Sequence, residues 1–149
     1  MNRIAATVSI VAAFVAGCGV TYLLRPAWAA ESITAQVIHT GEMDGDALGA
    51  ANKVGFRSKM FVKADGATVS IQDGQVPKHL HENANEVQYI LEGTGTIWLG
   101  DKEVTVKPGD LVVIPKGTPH GGTKTNGRAI KSIAIKTPPQ APDDVKLLD

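Results

Sequence analysis

Four side chains of this sequence are of the types that bind transition metals and are spaced so that they can meet. In His79-Leu80-His81 two histidines flank one residue. Alternate side chains of an extended chain share a face, so both imidazoles can turn toward one ion. The stretch Glu82 to Asn85 is polar and turn-like, and it returns the chain so that Glu86 opens a following strand. Later, Pro115-Lys116-Gly117-Thr118-Pro119 forms a turn that presents a third imidazole, His120. Imidazole and carboxylate together suit Mn, Fe, Co, Ni, Cu or Zn. Three histidines and one glutamate leave two positions of an octahedron for water or substrate. Other groups of the same types read differently. His39 has no partner nearby and is structural or exposed, and Glu82 is a solvated turn residue. Asp44 and Asp46 lack the spacing and the closing glutamate of a calcium loop, so they too read as a solvated turn.

The elements that must position these residues are short strands. Apolar or alternating runs occur at Ile33–His39, Ser58–Lys63, Thr68–Gln72, Glu86–Leu91, Thr94–Leu99, Lys102–Val106, Leu111–Ile114 and Ala129–Lys136. Turn signals separate them: Ala64-Asp65-Gly66, Glu92-Gly93, Gly100-Asp101 and Pro108-Gly109-Asp110. Thr40–Ala51 is a loop of small residues, and Thr137–Asp149, with three prolines, is an extended C-terminal tail. Eight strands without a helical period predict an all-β sandwich or barrel in one domain.

Composition narrows the function classes. Lys plus Arg number 15 and Asp plus Glu number 15, with no basic run, so nothing attracts a polyanion such as nucleic acid. At 5% aromatic residues, a stacking platform for single strands is also unsupported. The one cysteine, Cys18, excludes an intramolecular disulfide and a thiolate metal cluster.

The N-terminus reads as an export signal. A short start with Arg3 leads into Ile4–Leu24, which carries no charge, and then into Ala27-Trp28-Ala29, an A-x-A cleavage pattern. Cleavage after Ala29 makes residues 1–29 a signal peptide and starts the mature chain at Ala30. Two other readings stay open. Val15-Ala16-Gly17-Cys18 is similar to a lipobox, with Cys18 lipidated. The apolar run is also long enough, at roughly 20 residues, for an uncleaved membrane anchor. All three readings place the domain outside the cytoplasm, in the periplasm or beyond. No twin-arginine pair precedes the apolar run, so export is expected to proceed unfolded.

The two histidine-bearing segments resemble the two signature motifs of the cupin superfamily. The first motif is a Gly, then H-x-H, then Glu after three or four residues and Gly after six more. Here these are Gly74, His79, His81, Glu86 and Gly93. The second is a Gly, five residues, P-x-G, two residues and His, here Gly109, Pro115, Gly117 and His120. The match covers roughly residues 70–125. Two positions depart from the pattern: Gly74 is one residue closer to His79 than usual, and Lys124 stands where the motif usually ends in Asn.

The resemblance implies a double-stranded β-helix (jelly-roll) barrel of six to eight strands over residues 30–136. It also implies one divalent metal (Mn, Fe, Ni, Cu or Zn) on His79, His81, Glu86 and His120 inside the open end, and a homodimer. With Glu86 inward, Gln88 and Ile90 face inward too and Tyr89 faces away. Gln88 is then the one polar side chain, besides the ligands, placed beside the metal, and no second general acid or base is visible. Cupins serve many functions, so three readings remain. One is a metal-dependent enzyme (oxygenase, isomerase or lyase) on a small organic acid, sugar or phenolic compound. The others are a non-catalytic module that binds or senses a small molecule, and a metal buffer. A pocket with apolar walls and a second titratable group favours the enzyme; a shallow polar mouth favours binding.

Overall fold

The computed structural model describes residues 33–64 and 66–149. The signal or anchor segment expected over residues 1–29, with Cys18 and Ala29, lies outside the described residues.

Among the described residues, two short 3-10 turns, Thr40–Glu42 and Gly45–Leu48, precede ten strands. In chain order these are β1 (Arg57–Ala64), β2 (Ala67–Asp73), β3 (His79–His81), β4 (Asn85–Glu92) and β5 (Gly95–Leu99). They continue with β6 (Lys102–Val106), β7 (Leu111–Ile114), β8 (His120–Thr125), β9 (Lys131–Thr137) and β10 (Val145–Leu147). The strands build two five-stranded sheets, ordered β1-β2-β9-β4-β7 and β10-β3-β8-β5-β6, with every pairing antiparallel.

Strand alternation sets the inner faces. In β7, Val112 and Ile114 are buried while Leu111 and Val113 are exposed. Ile90, Val112 and Ile114 of the first sheet meet Ile97 and Val106 of the second, and Ile130 completes this core. Burying such a side chain contributes about 1.5–3 kcal/mol, so this cluster clamps the two sheets together behind the histidines. Gly93 shows why a glycine follows β4. Its φ is +82°, and a Cβ there would sit 2.3 Å from the carbonyl oxygen of Ala129. Only a residue without a side chain lets the two backbones approach this closely.

The first expected strand, Ile33–His39, is not a strand. These residues pair with nothing in the described structure, and Val37 is 81% exposed. Alternation alone does not make a strand when no sheet edge receives it. Conversely, β3, β8 and β10 were not among the expected strands, which is why ten form where the resemblance implies six to eight. β8 carries Gly121-Gly122 and no alternation, and β10 is a three-residue strand in the proline-flanked tail.

Candidate metal centre

The second sheet brings the three histidines together. β3 and β8 pair with His79 directly opposite His120, and His81 lies two residues along on the same face of β3. The imidazole centroids are 4.2 Å (His79–His120), 5.1 Å (His79–His81) and 5.1 Å (His81–His120) apart. One ring nitrogen from each lies within 4.8 Å of the others, and all three side chains are buried. Glu86 arrives from the opposite sheet, at the start of β4. Its Oε2 is 2.9 Å from His81 Nε2 and 3.5 Å from His120 Nε2. The four residues singled out by spacing therefore meet in one place, three imidazoles against one carboxylate.

Backbone carbonyls orient two of the rings. His79 Nδ1 lies 2.8 Å from the Pro77 carbonyl oxygen and His120 Nδ1 lies 2.9 Å from that of Thr118. A carbonyl only accepts, so each Nδ1 carries the proton and each Nε2 keeps a lone pair for the centre. Gly121 makes room for this. At φ +86°, a Cβ on it would meet Pro77 O at 2.6 Å and His79 Nδ1 at 3.1 Å. The turns that hold the ligands are also stitched to one another. The Gly117 N–H donates to His81 O (2.7 Å) and the Lys116 N–H to Asn85 Oδ1 (3.0 Å).

Charge at the centre follows from burial. Desolvation and the neighbouring His120 push His79 down to about 4, so it is neutral near pH 7. Burial opposes ionisation of Glu86. His120 close by, the hydrogen bonds from His81 and Gln88, and the nearby Lys136 outweigh it and hold the carboxyl well below its ordinary range. Gln88 Nε2 donates to Glu86 Oε1 at 2.8 Å, so Gln88 orients the carboxylate as the inward face of β4 implies, while Tyr89 is exposed on the other side. These donors fit a metal. The buried His120 Nε2 has no hydrogen-bond partner, a costly state for a polar atom that coordination relieves.

The remaining residues fall where their surroundings send them. His39 and Glu82 are exposed, and Glu82 pairs with Lys146 at 3.6 Å. Lys124, at the position usually held by Asn, is exposed and pairs with Glu103, away from the centre. Asp44 is not simply a solvated turn residue. It accepts from Lys131 Nζ and Arg128 at 3.0 Å each.

Three residues of the centre's surroundings were missed from sequence. Asp144, 2% exposed, sits behind His81, its Oδ2 3.5 Å from His81 Nδ1. It accepts from the Asn83 N–H (2.7 Å), Asn83 Nδ2 (3.1 Å) and the Ala84 N–H (3.3 Å). It thereby pins the loop that joins His81 to Glu86. No pattern in the tail marks it, because β10 is too short to show alternation. Lys136 and Gln140 also reach the centre. Lys136 Nζ is 3.6 Å from Glu86 Oε2 and donates to Gln140. Here a signal existed, since Lys136 shares the alternation of β9 with buried Ser132 and Ala134. The expectation that Gln88 alone among polar side chains joins the ligands is corrected accordingly.

All four ligand candidates line a cavity of about 620 Å³ whose walls are mainly apolar, with Val76, Ile97, Ile114 and Ile130 among them. Polar side chains, including Gln72 and Ser132, project into it at a few points. This is the usual composition of a small-molecule site.

Residues 67–132 match the cupin domain. An uncharacterized protein of Methanocaldococcus jannaschii is 34% identical over 71 residues, covering 48% of this chain and 57% of that protein. Acireductone dioxygenase of Leishmania major is 38% identical over 69 residues, covering 42% of this chain and 20% of the enzyme. The chain thus spans just over half the length of the first and a fifth of the second. Among solved structures, a conserved double-stranded β-helix protein from Klebsiella pneumoniae superposes with a TM-score of 0.62 at 12% identity. It covers 78% of this chain and 99% of its own. The polyketide cyclase RemF from Streptomyces resistomycificus gives 0.60 at 21% identity, covering 78% and 87%. Residues 67–132 thus carry the match to the cupin domain, and the superpositions show a shared two-sheet fold.

Proposed function

We propose that this chain is a metal-dependent enzyme, with His79, His81, His120 and Glu86 holding one divalent transition metal and the cavity receiving a small organic molecule. The observation that carries this is the buried, unpartnered His120 Nε2, set beside two further imidazoles and a carboxylate in a cavity large enough for a substrate. A bound divalent ion supplies Lewis acidity and a template for substrate oxygens. The chain's own residues do the rest. Pro77 and Thr118 hold two imidazoles in one tautomer, Gln88 and Lys136 fix the carboxylate, and the apolar walls exclude water. Apolar walls plus a second titratable side chain, Lys136, favour the enzyme over a binding, sensing or metal-buffering module. The dioxygenase relative makes oxygenation the first reaction class to assay.

The test is elemental analysis of the full chain and of His81→Ala, followed by oxygen-uptake and isomerase or lyase assays on organic acids and phenols. One equivalent of metal in the parent, none in the variant and metal-dependent turnover are expected. Full occupancy of the variant sinks the ligand assignment, and metal binding without any turnover favours the binding reading.

Export is part of the proposal. Mass spectrometry of the native protein should find a chain starting at Ala30 or a lipidated Cys18, and an intact Met1 on a cytoplasmic protein contradicts both. A chain that folds outside the cytoplasm meets metals there, where the affinity order favours Cu and Zn. The native metal should therefore differ from that of protein folded in a cytoplasm.

A homodimer is proposed through the outer face of the first sheet. Two cross-strand rows, Val69-Ile135-Val87-Val113 and Ile71-Ile133-Tyr89-Leu111, carry no charge. Tyr89, Leu111, Val113 and Ile135 are exposed there. An exposed apolar patch of this kind marks an interaction surface, and a second copy offers an equally uncharged one. Val113→Glu should shift sedimentation from dimer to monomer; a monomeric parent overturns this assignment.

A further inference from the structure

The charge of the cavity points to the class of its ligand. Among the described residues, Glu86 is the single acidic residue that lines it, against two lysines, Lys53 and Lys136. Lys53 is exposed, whereas the Lys136 side chain is 13% exposed and lies beside the centre. Its ammonium has three donors. Gln140 takes one, and Glu86 Oε2, at 3.6 Å, is too distant for a good hydrogen bond. That carboxylate is also claimed already by Gln88 at Oε1 and by His81 at Oε2. A half-buried ammonium with a spare donor, whose one nearby carboxylate is 3.6 Å away and shared with two other donors, is an anchor for an anion.

The wider charge count agrees. With a divalent ion bound, the ion and Lys136 would bring three positive charges, against two negative ones from Glu86 and, behind His81, Asp144. One positive charge is left over among apolar walls, where an uncompensated charge is costly.

We infer that the molecule taken up by this site is a small organic anion with an apolar body, a carboxylate or an ionised phenol or enol, its anionic oxygen held by Lys136. This rests on the metal reading above and narrows it, removing neutral sugars from the candidates. The apolar side chains take the body of the molecule. The ammonium, 3.6 Å from a carboxylate oxygen placed among the ligands, sets the anionic group close to the reacting centre.

The test uses the full chain loaded with zinc, its metal content checked by elemental analysis. Calorimetric titrations compare matched acids and amides: propionate with propionamide, benzoate with benzamide, phenylacetate with phenylacetamide. At least one acid should bind roughly ten-fold or more tightly than its amide, the scale of one charge-assisted hydrogen bond. Lys136→Met and Lys136→Gln should each lose that preference and Lys136→Arg should keep it, with zinc content and amide binding as controls. The inference is overturned if no acid of the series is preferred, or if the preference survives in a zinc-loaded Lys136→Met or Lys136→Gln protein. A parent chain that takes up no zinc overturns the metal reading instead, and this inference with it.

Discussion

Strands β4 and β9 pair a glutamate with a lysine twice, and the two pairs have opposite fates. Glu86 lies across from Lys136 at one end, and Glu92 across from Lys131 at the other, six residues and about 20 Å along the strand. A register shift in β4 between Ile90 and Glu92 separates them. Without that bulge Glu92 would face inward with Glu86; with it, Glu92 joins Lys131 on the face shared by Ile133 and Ile135. There the pair closes on itself. Lys131, fully buried, donates to Asp44 at 3.0 Å and Glu92 at 3.1 Å, and Arg128 bridges the same two carboxylates. Burial opposes the charge on Lys131, but the hydrogen bonds to Asp44 and Glu92 outweigh it and raise its pKa. Lys136 has one amide oxygen and a distant share of an overcommitted carboxylate. The same residue types on the same strands thus make a saturated group that holds structure and an unsaturated one that can meet a ligand.

The largest effect should come from removing a ligand at the open end. His81→Ala should weaken divalent-metal binding by more than about 100-fold, beyond the range usual for loss of an outer hydrogen-bond partner. Lys131→Met should leave that affinity unchanged. Competition titrations against a chelating indicator measure both, and equal affinities in the two variants break the comparison. Asp144→Asn sharpens it. The substitution keeps the volume but removes the charge behind His81 Nδ1 and turns one acceptor into a donor facing the Asn83 and Ala84 N–H groups. Metal affinity should fall about 10–100-fold in the same titration, and an unchanged value makes Asp144 a loop pin only.

Stability should respond in the reverse order. Lys131→Met leaves Asp44 and Glu92 without their buried partner. The cost should be about 1–3 kcal/mol in urea unfolding, less than for a fully buried pair because both carboxylates keep contact with water. Lys136→Met should cost less than about 1 kcal/mol, since it breaks no saturated group. A larger loss at Lys136 than at Lys131 reverses the assignment of roles.

How much of this was legible in the sequence follows from the same distinction. Seven of the expected strands form, and His79, His81, Glu86 and His120 meet, because alternation and turn chemistry act over a few residues. Lys136 was legible in principle from its phase with Ser132 and Ala134 in β9. The bulge in β4 was not, because one extra residue in a strand leaves no mark on an apolar run. Nor was Asp144, whose role depends on a three-residue strand of the tail pairing with β3, Val145 opposite His81. Ile33–His39 failed the other way: its alternation is sound, but no strand edge accepts it.

The smallest expected effect is the pH dependence of the closed end, and its sign is fixed by the directions of two shifts. Lys131 has its pKa raised above 10.5, so its contribution is fully present below that value and fades as pH rises through the folded one. Asp44 has its pKa lowered below 3.8, by the hydrogen bond from Lys131 against the opposing effect of desolvation. Its contribution is present above that value and fades as pH falls. The difference in stability between the parent chain and Lys131→Met should therefore be flat through neutral pH. It should shrink above about pH 10.5 and again below about pH 4. Urea midpoints at about pH 2.5, 5, 7, 8 and 11.5, outside and inside the two limits, measure it for both proteins. A difference that changes between pH 5 and 8, where histidines titrate, would tie Lys131 to the imidazoles at the far end and undo the separation of the two pairs.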